Sequence, residues 1–365
     1  MKKIFLIAGT RPNFMKLAPI IKRFPDNGEL RYFLIHTGQH YDYEMSRIFF
    51  EQLEIPEADF YLGVGSGTQN YQIANIMLKL EELINEQKPD IIVVVGDVNS
   101  TLAAALSAVK CGVPVAHIEA GLRSFDETMP EEINRKITDS ISTLLFTHCE
   151  EANKNLMREG ISPQKIHLVG NVMIDNLLDC IDKTKNSKIM EKLELDEKKF
   201  AVLTLHRASN VDNISILSEI MRAVEHVSNE VKVVFPVHPR AAKNIEKSLK
   251  NTKHSSNIHL IKPLGFIDFL KLMMESKFVL TDSGGIQEET SFLGIPCITI
   301  RENTERPITT EIGTNILAGI KKENILNAAR KILDEKFTTK GKSIPYWDGK
   351  ASDRIIKIIK NFLLD

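Results

Sequence analysis

The chain has 365 residues, 43% of them hydrophobic and 26% charged, an ordinary balance for a soluble globular protein of about two domains. Its formal net charge is −1, so no bulk field draws it to nucleic acid or to a membrane surface, and an anionic ligand has to be held by local charge. No apolar run approaches bilayer-spanning length, and Cys111, Cys149, Cys180 and Cys297 lack metal-ligand spacing, which fits a reducing, cytoplasmic setting without a metal.

The N-terminal MKKIFLIAGTRP has the basic start and short apolar run of a secretory leader, but a first strand over Ile4–Ala8 explains it better. Short β-branched runs then predict strands at Tyr32–His36, Ile91–Val95, Val115–Ile118, Leu144–Thr147 and Ile166–Val169. A second series follows at Ala201–Leu205, Val231–Pro236, Ile258–Ile261, Phe278–Thr281 and Cys297–Ile300. Helical patterns such as Gln72–Glu86 and Ile214–Ser228 lie between them. Continuous apolar strands alternating with helices indicate α/β architecture, with parallel sheets covered on both faces.

Asp182–Lys199, rich in Lys, Glu and Asp, reads as a solvated helix and linker. The expected division is residues 1–170 and 171–352, with an amphipathic C-terminal helix over 353–365 returning to the first domain.

Ligands of open parallel sheets bind beyond the carboxyl ends of the strands, so the residues there are the candidates. Past the first strand, Arg11 and Lys16 stand at a helix start, where cations oppose the dipole unless an anion is bound. Past Val95 stands Asp97, which could be a base, an acceptor or a helix cap. Past Ile118 stands Glu119. Glu131, with Glu132, lies beyond a polar loop after Pro130, where it could equally make a good first helical turn. Carboxylates converging on one crevice would have the separated pKa values that acid/base work requires.

In the second half, His206 and Arg207 follow one strand, and His238 and Arg240 another. The stretch TDSGGIQEET then follows Leu280. Glycines between a strand and a helix start allow a phosphate to reach the unpaired N–H groups. The competing reading is an ordinary turn, with Ser283 as N-cap. Of Arg301 and Arg306, one would form an internal salt bridge while the other reaches the crevice.

Together, Arg11, Lys16, His206, Arg306 and the Ser283–Gly285 loop compose a diphosphate-type site, with Glu288 or Glu289 one turn further on for ribose hydroxyls. No G-x-G-x-x-G follows the first strand and no lysine follows the later glycines, which disfavours a nicotinamide dehydrogenase and a nucleoside triphosphatase.

The segments GTRPNFMKLAP, GDVNST, HIEAGLRS, MPEEINR, LTLHR, DSGGIQEE and RENTERP, in that order, resemble the UDP-N-acetylglucosamine 2-epimerase family. The resemblance implies two Rossmann-like domains of glycosyltransferase-B type, the active site in the interdomain cleft, a homodimer and no cofactor. It also implies interconversion of UDP-GlcNAc and UDP-ManNAc through a 2-acetamidoglucal. By motif position, Asp97, Glu119 and Glu131 resemble the family's catalytic acids. Arg11, Lys16, His206, Ser283, Gly284, Gly285, Glu289 and Arg306 resemble its UDP-binding residues, with His206 also counted in the catalytic set. Phe266 resembles the aromatic position beside the uracil.

Gln39 and His40 match a pair from a regulatory UDP-GlcNAc site. The stretch LGVGSGTQNYQ lacks that site's basic residue, so activation by substrate is not expected in the same form. Asn13, Phe14 and Met15 after Arg-Pro, and Ala208 and Ser209 after His-Arg, also depart from many bacterial members. These departures leave room for a related UDP-sugar, such as a diacetamido-uronic acid. The competing readings are a hydrolysing form releasing ManNAc and a glycosyltransferase on the same fold and UDP site, for which three carboxylates facing the sugar would be superfluous.

Overall fold

In the computed structural model, residues 1–25, 28–39, 50, 53–237, 239–249, 257–337 and 343–364 are described, the side chains of 239–241, 246 and 249 excepted. The apolar runs pair as two sheets. The first has the order β3-β2-β1-β4-β5-β6-β7. Its strands are β1 Lys2–Ala8, β2 Leu30–His36, β3 Phe60–Tyr61, β4 Ile91–Val95, β5 Val115–Ile118, β6 Leu144–Thr147 and β7 Ile166–Leu168. The second has the order β10-β9-β8-β11-β12-β13. It is built from β8 Phe200–Thr204, β9 Lys232–Pro236, β10 Ile258–Ile261, β11 Phe278–Thr281, β12 Cys297–Thr299 and β13 Asn315–Leu317.

All these pairings are parallel. The strands are apolar on successive residues because helices cover both faces, and all five residues of β4, IIVVV, are buried. The two strands that sequence reading misses, β3 and β13, are sheet edges of two and three residues. Edge strands so short need no apolar run of their own. Asp182–Lys199 forms a 3₁₀ turn, Asp182–Asn186, and a short helix, Ile189–Lys192, and it buries Ile189 and Thr184.

The chain divides into two compact units, Met1–Asp179 with Pro345–Asp365, and Cys180–Ile344. The division lies beyond residue 170 because most of the helix Val172–Ile181 is fastened into the first unit. Arg23 grips Asp179 through two hydrogen bonds of 2.7 Å. Buried Asp175 accepts from the backbone N–H groups of Ala351 and Ser352 at 3.2 and 2.7 Å, capping the C-terminal helix Ala351–Leu364. Trp347 Nε1 donates to the His148 carbonyl at 3.0 Å.

In the first sheet the strand order reverses between β1 and β4, and in the second between β8 and β11. Loops leaving such a pair of strands run to opposite faces and open a crevice at the strands' carboxyl ends. Gly9–Arg11 and Gly96–Asp97 follow the first pair; Leu205–Arg207 and Asp282–Gly285 follow the second.

Candidate active site

In the first unit, side chains from elsewhere in the chain fix the turn after β4. The Val95 carbonyl accepts from Asn13 Nδ2 at 2.9 Å and Thr101 Oγ1 at 2.8 Å. The Gly96 carbonyl is 2.8 Å from His117 Nε2, and the Asp97 carbonyl accepts from Asn134 Nδ2 at 2.8 Å. The Asp97 carboxylate itself pairs with Arg135. Asn13 also organises the turn after β1, its Oδ1 accepting from Gly9 N, Thr10 N and Thr10 Oγ1 at 3.1, 3.0 and 3.0 Å. A residue that departs from the bacterial pattern is therefore a structural pin between two site loops.

Lys16 and Glu119 form an ion pair in which both side chains are about nine-tenths buried. Glu119 has φ +72°, a left-handed conformation that costs a non-glycine residue on the order of 1–2 kcal/mol. It is held there because the N–H groups of Glu119 and Ala120 both donate to the Phe146 carbonyl, at 3.1 and 3.0 Å. Two residues on, Gly121 has φ +79°, and a Cβ there would lie 2.5 Å from the Ala152 carbonyl, so the turn requires glycine.

Glu131 is half-buried in the first turn of Pro130–Ile141. Its neighbour Glu132 is the structural one. Fully buried, it accepts from Ser124 N, Ser124 Oγ and Phe125 N at 2.9, 3.0 and 3.0 Å, and pairs with Arg135 at 2.7 Å. Burial opposes its ionisation, but these donors outweigh that and hold its carboxyl below the usual range. Arg135 thus links Asp97 to Glu132. The i,i+3 spacing in EEINR was a signal for the second half of that link.

Arg11 stands exposed at the helix start. Gln39 is buried and already engaged: its Oε1 accepts from Ser100 N and Oγ at 3.1 and 2.7 Å, and its carbonyl accepts from Gln72 Nε2 at 3.3 Å. His40 and His238 lie outside the described residues, as does the side chain of Arg240.

In the second unit, Asp282 organises the loops. Its carboxylate accepts from His206 N at 3.1 Å, Arg207 N at 3.0 Å and Asn210 Nδ2 at 3.2 Å, and pairs with His206 Nδ1 at 2.9 Å. Burial opposes ionisation of Asp282, yet His206 and the N–H donors hold its carboxyl below the usual range. Asp282 thereby orients His206, whose side chain is 44% exposed.

Ser283 is the N-cap residue of Gly284–Leu293, but its side chain makes no capping bond, and the first turn contains no acid. The helix therefore starts without side-chain compensation for its N–H groups, which is the arrangement an anion fits. Gly284 allows Arg306 to approach: a Cβ there would lie 2.5 Å from Arg306 Nη1.

Neither later arginine is a free cation. Arg301 grips Glu305 at 2.8 and 2.6 Å, and Arg306 pairs with Glu288 at 2.7 Å and Glu305 at 3.5 Å. Both form internal ion pairs, Arg301 with buried Glu305 and Arg306 mainly with Glu288, while Arg306 also lies against Gly284 at the helix start. Glu289 is buried, and burial followed by the charge of Glu288 pushes its carboxyl up to about 8. A neutral carboxyl offers a ribose hydroxyl both a donor and an acceptor. Phe266, 5% exposed, opens the helix Phe266–Glu275.

Among the described residues no group of three or more His, Cys, Asp or Glu is placed to hold a metal ion, and no helix is long and apolar enough to cross a membrane.

Two parallel α/β sheets, with carboxylates at one set of loops and an uncapped helix start beside arginines at the other, define an α/β enzyme of glycosyltransferase-B type. The family profile for UDP-N-acetylglucosamine 2-epimerase matches residues 22–360, and the chain belongs to that family. UDP-N-acetylglucosamine 2-epimerase of Methanococcus maripaludis is 42% identical over 367 residues, covering 98% of each chain. UDP-2,3-diacetamido-2,3-dideoxy-D-glucuronate 2-epimerase of Pseudomonas aeruginosa is 39% identical, covering 98% of this chain and 99% of its own. The crystal structure of Methanocaldococcus jannaschii UDP-GlcNAc 2-epimerase in complex with UDP-GlcNAc and UDP has a TM-score of 0.90 and 40% identity, covering 98% of this chain and 99% of that one.

Proposed function

We propose that the protein interconverts UDP-GlcNAc and UDP-ManNAc, supplying precursors for surface polysaccharide. One carboxylate of the first unit takes the C2 proton as the C1–oxygen bond breaks, and UDP leaves with the electron pair. The products of that step are UDP and a 2-acetamidoglucal. A β-phosphate oxygen of UDP then re-adds to C1 while a proton is delivered to C2 from the opposite face. Atoms and charge balance, and no cofactor enters.

The observation that supports this reading best is the pair of carboxylates Asp97 and Glu119 at the ends of adjacent strands, each facing a cation. Placed carboxylates are what proton transfer at carbon requires, with Glu131 as the third. For the leaving diphosphate, the reading assigns Arg11, Lys16, His206, Ser283, Gly284, Gly285 and Arg306, which would meet charge as it develops. Glu289 takes the ribose and Phe266 the uracil edge. The same reading expects a cytoplasmic homodimer, for which light scattering should give twice the chain mass.

A second reading is favoured by the Pseudomonas relative: epimerisation of a diacetamido-uronate UDP-sugar at the same carbon. The test is incubation of the protein with UDP-GlcNAc in deuterated water, followed by proton NMR. UDP-ManNAc deuterated at C2 is expected. Free ManNAc with UDP would mean the hydrolysing outcome. No reaction with UDP-GlcNAc, but exchange with the diacetamido-uronate, would install the second reading.

A further inference from the structure

Asp97 and Glu119 have to keep a set distance, because under the reading above both belong to the carboxylate set placed around one carbon. They sit on separate turns, after β4 and β5. Those strands are parallel neighbours with Val95 opposite Ile118, so the turns leave the sheet side by side. Between them lies His117, the last residue but one of β5, fully buried. Its Nε2 is 2.8 Å from the Gly96 carbonyl, the residue before Asp97. Its Nδ1 is 2.7 Å from Asp139 Oδ1, and Asp139 Oδ2 accepts from the N–H of Gly121, two residues after Glu119, at 3.1 Å. Arg123 adds a contact of 2.8 Å to the same oxygen and grips Glu159 at 2.8 and 2.6 Å. One path of hydrogen bonds therefore runs from the Asp97 turn through His117 and Asp139 to the Glu119 turn.

The donors on this path are determined. A carbonyl only accepts, so His117 Nε2 carries a hydrogen. Asp139 Oδ2 receives the Gly121 N–H and the Arg123 guanidinium, and the pair with Arg123 keeps the carboxyl ionised, so Oδ1 accepts too. His117 Nδ1 is therefore also a donor. A ring with one bare nitrogen would lose one end of the bridge.

We infer that His117, with Asp139, is a positioning residue for the epimerisation: with both ring nitrogens hydrogen-bonded, it ties the turn bearing Asp97 to the turn bearing Glu119. It touches no reacting atom. This rests on the proposed function, and its test separates the two. In His117→Gln one side chain cannot span both partners, and kcat is expected to fall about 10- to 100-fold, the scale on which small misplacements act. KM and the Kd for UDP should stay within about 3-fold, since the diphosphate ligands of the second unit are untouched. Asp139→Asn, of equal size, should lower kcat less, with UDP affinity again retained.

An unchanged kcat would overturn the inference, as would a kcat that falls only in step with UDP affinity and melting temperature. Nitrogen-15 NMR of histidine-labelled wild type is independent of both turnover and variant folding. Hydrogens on both ring nitrogens of His117 are expected, and a bare nitrogen would sink the bridge. A wild type inactive on UDP-sugars, yet with both hydrogens present, would remove the proposed function while leaving the bridge standing.

Discussion

The two units share one topology and use it for opposite electrostatic ends. In each, the strand order reverses beside the first strand, and the polar residues lie past the strands flanking that reversal and past the next strand over, β5 or β12. In the first unit carboxylates stand at the strand ends, with Lys16 against Glu119 and Arg135 against Asp97. In the second, Glu305 and Glu288 lie deeper and pair with Arg301, Arg306 and Arg207, two carboxylates against three cations. Burial opposes ionisation of Glu305, but the three arginines hold its carboxyl well below the usual range. Outside those pairs the loops present the backbone N–H groups at the start of Gly284–Leu293 and the half-exposed His206. The carboxylate side chains of the first unit keep 25% exposure at Asp97 and 8% at Glu119, against 0% at Glu305 and 1% at Glu288 in the second.

The comparison breaks most directly if the acids of the first unit turn out to serve binding. Asp97→Asn and Glu119→Gln should each lower turnover about 1,000-fold, within the range for a positioned acid or base. The Kd for UDP should change less than about 3-fold. Calorimetry for UDP alongside NMR for turnover checks this. Parallel loss of both would make the carboxylates structural.

The split between what the sequence reveals and what it hides follows chain separation. Strands with continuous apolar runs, such as β4 and β5, are legible because burial on both faces leaves a local composition. Site side chains are legible because they directly follow such strands. Their partners are not: Arg135 reaches Asp97 across 38 residues, and His117 reaches Asp139 across 22. Glu132, not Glu131, is the residue that braces the loop, and only the orientation of its helix distinguishes them. Ion pairing of Arg301 and Arg306 is likewise invisible until burial shows that Glu305 has no solvent to face.

On the second unit, Arg306→Ala strips buried Glu288 of a cation and should cost roughly 3–5 kcal/mol of stability, along with UDP affinity. Thermal melting and calorimetry read the two losses. Gly284→Ala is the gentler form. Its Cβ displaces the guanidinium, and UDP should weaken while the Glu288 pair survives in shifted geometry. If UDP affinity is unmoved by both, the phosphate reading of this loop fails.

Glu289 gives a pH handle. Its carboxyl is raised to about 8 in the folded protein, against a usual value near 4.5. The folded state keeps its full relative stability below the unfolded value, loses it as pH rises between about 4.5 and 8, and levels off above. Glu289→Gln removes that loss. Its advantage over wild type should grow from near zero at pH 4 to roughly 3 kcal/mol by pH 7, as an upper bound. Melting curves across this range decide it: parallel curves would mean that Glu289 is ionised and solvated.

The smallest effect is the sharpest for the helix start. An N-cap serine replaced by alanine ordinarily costs about 1 kcal/mol, because its hydroxyl accepts from the first turn. Ser283 makes no such bond. Ser283→Ala should therefore cost less than about 0.5 kcal/mol, the level of a change that removes no structural contact. UDP affinity should still fall a few-fold as one phosphate donor disappears. Ser283 makes no capping bond yet stands at the mouth of an uncapped helix, a combination the phosphate reading accounts for. A cost near 1 kcal/mol with unchanged UDP affinity would restore the plain turn and make the two units differ in carboxylates alone.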